Sequence, residues 1–291
     1  ENNGQDIRTL YQSNNCWTSL KRAAGRIAYK DDVITKRLEK GMANLLHHNT
    51  ASFLHFIELF IDGSKQYLDT KNYKYALMLY YALFQDRLDK TGFASIYEAL
   101  ELIHKEMYSY FKQEISEIIS YLLAHLQLKT MPLGEDVLPG LELYGCYTRE
   151  EIFTLVGRQT EARKMQGSVT GVFNLSECNA TLLFVTLNKS DKDFSPSTQY
   201  NDYLINEHYF HWQSQNTDSH QNNGGQRYTK QADTQNKIIL FVREEKKDGY
   251  GNTCPFHCFG LVEYMSSHDD FPMNITWKLQ QPAMAQYVKA I

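Results

Sequence analysis

Apolar positions in the first 130 residues recur at spacings of three and four, the period of an amphipathic helix. Thr50 is a favourable N-cap for the apolar run that closes at Asp62-Gly63, and Asn72 precedes a second apolar run. A third pattern, starting near Ser95 and reaching Leu122, predicts one helix of roughly eight turns. The first half of the chain is therefore predicted to be helical.

The pattern changes at residues 131–140, where two prolines and two glycines interrupt both helix and strand. Beyond this joint the apolar runs are short, rich in β-branched and aromatic residues, and separated by polar or glycine-containing stretches. The predicted strands are residues 168–173, 180–187, 237–243, 258–264 and 274–279. A capping box, Thr148-Arg-Glu-Glu, predicts one short helix among them.

These two patterns predict an α+β chain. A helical connector domain is expected at residues 1–133, followed at residues 140–291 by a β-rich domain. A small twisted β-sheet or barrel is the natural architecture for the second domain, and an SRA- or PUA-like fold is one form of it.

Composition narrows the function classes. A hydrophobic content of 42% and a charged content of 22% over 291 residues are typical of a soluble globular protein. The net charge of −4 argues against a general polyanion binder, so any nucleic-acid contact must come from a local patch. Five scattered cysteines favour a reducing, cytoplasmic setting. No membrane partner is expected, and the first residues, Glu-Asn-Asn-Gly, suggest a piece of a longer chain.

Sequence signatures of catalysis are missing. The chain has no phosphate-binding Gly-x-x-x-x-Gly-Lys loop, no helicase Asp-Glu-x-His box, no His-x-Lys phosphodiesterase signature and no His-Glu-x-x-His zinc helix. Cys254-Pro-Phe-His257-Cys258 resembles a metal cluster but lacks a second ligand pair, so a hairpin with two half-buried thiols is the better interpretation. His47-His48 is interpreted as core or rim packing. We expect a non-catalytic chain that holds no cofactor and no metal.

Residues 182–228 combine aromatic, amide and cationic side chains. A predicted strand runs into the loop of Lys189, Ser190 and Lys192, and an aromatic stretch around residues 208–215 follows. Amides and an acid can read a base edge, aromatic faces can stack on an extruded base, and hydroxyls and cations can hold phosphates. From the residues alone, the wall of a small β-barrel remains the alternative interpretation.

A family resemblance favours the nucleic-acid interpretation. Residues 182–212, 227–228, 237–246 and 272–279 resemble the C-terminal domain of ATP-dependent type IV restriction endonucleases. Those chains join a phospholipase-D-type nuclease to a superfamily 2 helicase motor and cut DNA that carries 5-methyl- or 5-hydroxymethylcytosine. The resemblance implies a target-recognition module whose partners are modified duplex DNA and the helicase and nuclease domains of a parent chain. ATP and Mg would be used by those domains, and the helical half would be the connector that follows the motor.

The mechanism expected for such a module is base flipping. One methyl group contributes only ~0.8 kcal/mol by burial, so an enclosing aromatic pocket discriminates better than a groove contact. The candidate base-pocket residues are Trp212, Tyr209, Tyr203 and Asp202. The candidate phosphate-binding residues are Lys189, Ser190, Lys192 and Arg227. Two alternatives stay open: Trp212 as a plain core residue, and the whole chain as a protein-interaction module that docks the motor to a partner.

Overall fold

The computed structural model describes residues 7–134, 137–165, 170–189 and 201–288. It confirms the α+β class, with helices at the N-terminus and a mixed sheet after them. The chain forms two compact units. The helical unit comprises Glu1–Thr130 with Arg149–Gly167, and the sheet unit comprises Met131–Thr148 with Ser168–Ile291.

The helical unit is built from short helices around an aromatic core. Its α-helices are α1 (Trp17–Ala23), α2 (Val33–Ala43), α3 (Ala51–Ile61), α4 (Tyr73–Phe84), α5 (Leu88–Thr91), α6 (Ile96–Glu101), α7 (Ser109–Ala124) and α8 (Arg149–Leu155). Its 3₁₀ turns are Ile7–Asn14, Gln66–Leu68, Thr70–Asn72, Leu102–His104 and Glu106–Tyr108. Helices α2 and α4 approach closely at Gly41, where an added Cβ would lie 2.7 Å from the Leu83 Cα. Only glycine allows this crossing.

The starts of α3 and α4 follow Thr50 and Asn72, as predicted. The single long helix predicted from Ser95 is wrong. The chain forms α6, two 3₁₀ turns and then α7, with Lys105 in an extended conformation between the turns. Ile103 and Phe111, on either side of the break, are both fully buried. The apolar spacing therefore recorded which side chains are buried and not whether the backbone is continuous.

The sheet unit contains one large mixed sheet. Its strands are β3 (Cys146–Tyr147), β4 (Val172–Leu175), β5 (Ala180–Asn188), β6 (Tyr203–Asn206), β7 (Tyr209–Gln213), β8 (Lys237–Glu245), β9 (Phe256–His268) and β10 (Asn274–Leu279), while β1 (Met131–Pro132) pairs with β2 (Glu142–Leu143). The order is β4-β5-β8-β9-β10-β7-β6, with β3 beside β9. Within the described part of the chain, only β5 and β8 pair in parallel, and both are buried along most of their length, as the continuous apolar runs require.

One buried cluster extends across this sheet. Leu183 from β5 and Leu204 from β6 both belong to it, although these strands are second and last in the order. The short helices of this unit are α9 (Asn223–Thr229), α10 (Gln231–Thr234) and α11 (Ala285–Val288), with a 3₁₀ turn at Ser176–Cys178. Tyr228 of α9 and Tyr287 of α11 are buried in the cluster.

The observed units differ from the predicted domains at two segments. Residues 131–133, predicted in the helical domain at residues 1–133, belong to the sheet unit. Residues 149–167, predicted within the β-rich domain at residues 140–291, pack with the helices. The reason is α8, which buries five of its seven residues and lies against α4. The Tyr81 hydroxyl donates to the Thr160 carbonyl oxygen over 2.7 Å and fixes the segment that follows α8. No helix among the described residues is both long enough and apolar enough to cross a bilayer.

Candidate functional site

The solvent side of strands β6, β7, β10 and β9 carries a continuous set of polar and aromatic side chains. Along β7, Phe210 and Trp212 are buried while Tyr209, His211 and Gln213 are half-buried, the alternation of a strand with one face on a core. Because directly paired residues of antiparallel strands share a face, the register extends this side across the neighbouring strands. We call it the open face, and its members are Tyr203, Tyr209, His211, Gln213, Glu263, Ser266, His268, Asn274, Thr276 and Lys278.

The centre of the open face is a pair of stacked rings. Tyr203 and His211 lie opposite each other, with ring centroids 4.6 Å apart and planes inclined by 12°. Tyr203 is 44% exposed, so the outer face of its ring meets solvent. His211 Nδ1 lies 2.9 Å from the Asn201 carbonyl oxygen, which can only accept, so Nδ1 carries the proton and orients the ring. The row continues through Thr276 and Ser266.

A second row of the open face is a line of amides. Gln213 Nε2 donates to Asn274 Oδ1 over 2.9 Å, and Asn274 Nδ2 donates to Asp269 Oδ2 over 3.0 Å. The backbone N–H of Asn201 donates to Gln213 Oε1 over 2.7 Å. These bonds fix which end of each amide is donor and which is acceptor. Oriented amides are the groups that read donor and acceptor patterns on a base edge.

The third row supplies charge. Lys278 is exposed and lies between Tyr209 on β7 and Glu263 on β9. One lysine facing one carboxylate gives this part of the surface little net charge. Like the chain as a whole, whose net charge is −4, this part is therefore not basic. An ammonium at this position can contact a phosphate, but the face is not a general polyanion surface.

Of the four predicted base-pocket residues, the open face brings together Tyr203 and Tyr209. Trp212 points to the opposite side and is 4% exposed. Its ring centroid lies 5.1 Å from that of Tyr228 and 6.2 Å from that of Trp277. The expected pocket wall is therefore corrected to a core residue. Within the aromatic stretch at residues 208–215, residues 209–213 form an alternating strand with large side chains on both faces.

Asp202 and Lys189 are also placed differently from the prediction. Lys189 Nζ lies 2.6 Å from Asp202 Oδ2, and the two side chains are only 8% and 3% exposed. The Gln213 backbone N–H donates to Asp202 Oδ1 over 2.9 Å. Burial raises the pKa of the Asp202 carboxyl, and the neighbouring lysine partly offsets this. The two groups, predicted for base and phosphate contact, instead form a buried ion pair between the end of β5 and the start of β6.

Of the remaining predicted phosphate ligands, Arg227 is not on the open face. Arg227 lies on α9, the helix that contributes Tyr228 to the core. Gly224 and Gly225 also lie inside α9. There, a Cβ on Gly225 would come within 2.0 Å of the Ser219 carbonyl oxygen. Ser190 and Lys192 fall outside the described residues.

Several open-face residues were not singled out from the sequence. Asn274, Thr276 and Lys278 lie in a strand predicted with its observed bounds, and their alternation with buried neighbours was visible. What the sequence could not supply was the pairing of β10 with β7, because the two strands are separated by about 60 residues of chain. If residues 209–213 had been assigned to a strand, the alternation of that strand would have placed His211 and Gln213 on its solvent face.

The part of the chain that carries the open face matches a known protein family. A family model described as a domain of unknown function (DUF3427) matches residues 141–290, which include the whole open face. No curated protein matches the chain.

Proposed function

We propose that this chain, which belongs to the DUF3427 family, is the DNA-recognition module of a modification-dependent restriction endonuclease. Its ligand would be duplex DNA that carries 5-methyl- or 5-hydroxymethylcytosine. The observation that carries the proposal is the exposed Tyr203–His211 ring pair beside a line of oriented amides. The resemblance of residues 182–212, 227–228, 237–246 and 272–279 to the C-terminal domain of type IV restriction enzymes gives the substrate class.

The chemistry of the open face suits a nucleobase. Stacking a base on an aromatic side chain contributes roughly 1–3 kcal/mol, and the outer face of Tyr203 is accessible for it. The amides of Gln213 and Asn274 then lie one row away to meet the polar edge of the base. A base inside a duplex cannot reach such a platform, so the cytosine is flipped out of the helix. It stacks on Tyr203 and not on the buried Trp212.

Discrimination between modified and unmodified DNA must come from contacts with the base and not from contacts with phosphates. The open face carries one lysine among ten side chains, and the chain is acidic overall. Non-specific affinity is therefore weak. The C5 methyl group lies in the plane of the base, and where the stacked Tyr203 ring covers it, its burial would contribute up to ~0.8 kcal/mol, with the amides adding orientation.

In the parent protein the recognition step serves other domains. A helicase motor that uses ATP and Mg and a phospholipase-D-type nuclease would act once the modified base is bound, in cytoplasmic defence against phage and other foreign DNA. The chain itself is proposed to be non-catalytic and to need no cofactor.

The test is fluorescence anisotropy with two labelled duplexes of one sequence, the first fully 5-methylated at cytosine and the second unmodified. Wild-type chain should bind the methylated duplex more tightly. Tyr203→Ala should weaken that binding roughly 5- to 150-fold, the equivalent of the stacking energy. Tyr250→Ala is the matched control, because Tyr250 is 56% exposed in a turn outside the open face. Equal affinity for the two duplexes, or full affinity in Tyr203→Ala, would contradict the proposal.

One observation favours a second candidate function, a protein-interaction module. Among the described residues β6 pairs only with β7, so its other edge is unpaired there, and Ile205 of this strand is 43% exposed. An exposed strand edge can accept a strand from a partner such as the helicase motor. This candidate predicts no affinity for either duplex and a loss of motor binding in Ile205→Lys.

A further inference from the structure

A cluster of two imidazoles and a carboxylate lies inside the helical unit. His47 and His48 lie in the loop between α2 and α3, and Glu151 lies in the first turn of α8, 104 residues beyond His47. His47 Nε2 is 2.8 Å from Glu151 Oε2, and His48 Nε2 is 3.3 Å from Glu151 Oε1. One potential ligand atom from each of the three residues falls within 4.8 Å of the others. We call these residues the His47–His48–Glu151 cluster.

His48 is the unusual member of the cluster. Its side chain is 1% exposed, and neither ring nitrogen makes a hydrogen bond. Although Nε2 approaches the Glu151 carboxylate, the alignment is not that of a hydrogen bond. A buried polar group left unpaired is destabilising, and native proteins retain few of them. An aromatic contact with Phe53, at 4.6 Å between ring centroids, holds the ring in place without satisfying its nitrogens.

We propose that the His47–His48–Glu151 cluster binds a divalent transition-metal ion of the zinc class. Two imidazoles and one carboxylate are the donor set of three-ligand zinc sites, in which a water takes the fourth position. Bonds of about 2.0–2.2 Å in a tetrahedral arrangement place donor atoms about 3.3 Å apart. The His48–Glu151 separation already has this value, and the His47–Glu151 separation needs to open by about 0.5 Å.

The proposed ion has a defined structural consequence. It would cross-link the α2–α3 loop to α8, and so hold residues 149–167 on the helical unit after the chain has passed through β1, β2 and β3. The ion would coordinate the buried His48 Nε2, which makes no hydrogen bond in the protein. The competing explanation is a proton in place of the metal, with His47 and Glu151 as a simple ion pair and His48 as a packing residue. This cluster is independent of the proposed DNA interface, since no open-face residue takes part in it.

The experiment uses the whole chain, stripped with a chelator and titrated with zinc chloride by calorimetry and by thermal unfolding. Wild type should bind one zinc per chain with an increase in melting temperature. His47→Gln and Glu151→Gln should each raise the zinc dissociation constant at least about tenfold. Tenfold is the lower limit seen even for changes to residues that do not bind the metal directly. His55→Gln is the matched control, because His55 forms a similar pair with Glu58, at 3.0 Å, on the exposed side of α3. It should bind zinc as wild type does.

Cobalt provides a second readout that does not depend on stability. Four-coordinate cobalt bound by wild type should give a visible absorption band, and the band should be lost in His47→Gln, which replaces a side chain that is 16% exposed. Failure of wild type to bind either ion would overturn the proposal. Equal zinc affinity in wild type and His47→Gln would overturn it as well, because the ion would then be bound elsewhere.

Discussion

Strand β7 shows two different uses of large side chains a single residue apart. Trp212 and Phe210 face the core and are at most 4% exposed, whereas His211 and Tyr209 face solvent. Aromatic content is therefore the same on both faces, and only the direction of the side chain separates packing from a surface available to a ligand. An aromatic cluster in a sequence is consequently evidence for a site only after its face is known. The four predictions below test this separation.

The largest expected effect is on the core face. Trp212→Ala should lower the free energy of unfolding by about 3–5 kcal/mol, because it leaves a cavity between Tyr228 and Trp277. Urea denaturation followed by circular dichroism measures the change. A variant of unchanged stability that loses only DNA affinity would return Trp212 to the ligand site.

The buried ion pair lies between the two faces and should also behave as a structural element. Lys189→Met leaves the Asp202 carboxylate buried without its partner and should cost about 3–5 kcal/mol of stability. The double variant Lys189→Met/Asp202→Leu removes both charges and should recover most of that loss, which the same denaturation measurement checks. If Lys189→Met instead keeps its stability and binds all DNA more weakly, Lys189 is a phosphate ligand.

On the open face the stability effect should disappear and an affinity effect should replace it. His211→Ala removes the ring beneath Tyr203 and should weaken binding of methylated duplex by about 1 kcal/mol, the lower end of a stacking contribution. The free energy of unfolding should stay within about 0.5 kcal/mol of wild type, as for other solvent-facing substitutions. A large stability loss would show that the stacked pair is part of the fold.

The smallest effect concerns charge on the open face. Lys278→Ala should reduce the slope of log affinity against log salt by about 0.9, the value for one phosphate contact, equally for methylated and unmodified duplexes. Lys90→Ala, an exposed lysine of the helical unit, is the control and should leave the slope unchanged. An unchanged slope in Lys278→Ala would show that this lysine is simply solvated.

Helices and strands were predicted correctly from the sequence where the local residue pattern is compatible with only one type of secondary structure. Strand β10 was predicted with its observed bounds because Ile275, Trp277 and Leu279 alternate with polar positions. The start of α3 after Thr50 was equally readable. For residues 96–122 the apolar periodicity correctly indicated which side chains are buried, but the single helix predicted from it was wrong. Lys105 is extended and interrupts the helix, while the apolar side chains on either side of it stay buried.

The candidate site was predicted only in part. Tyr203 and Tyr209 were identified by residue type and do share a surface, but Asp202, Lys189 and Trp212 were assigned from the same composition and are buried. Residue type indicates which interactions a side chain can make. It does not indicate which of them the neighbouring strands satisfy first, as Lys189 does for Asp202.

The sequence by itself determined the α+β class, the change of pattern near residue 131 and the positions of β5, β8, β9 and β10, because these depend on local periodicity and backbone preference. Only the tertiary structure decided which side of β7 meets solvent and that Glu151 meets His47 and His48 from 104 residues away. Those outcomes depend on strand register and on the packing of α8, and both are set by contacts between segments far apart in the chain. Local sequence carries no record of them, since the free energy that selects them exists only when both segments are in place.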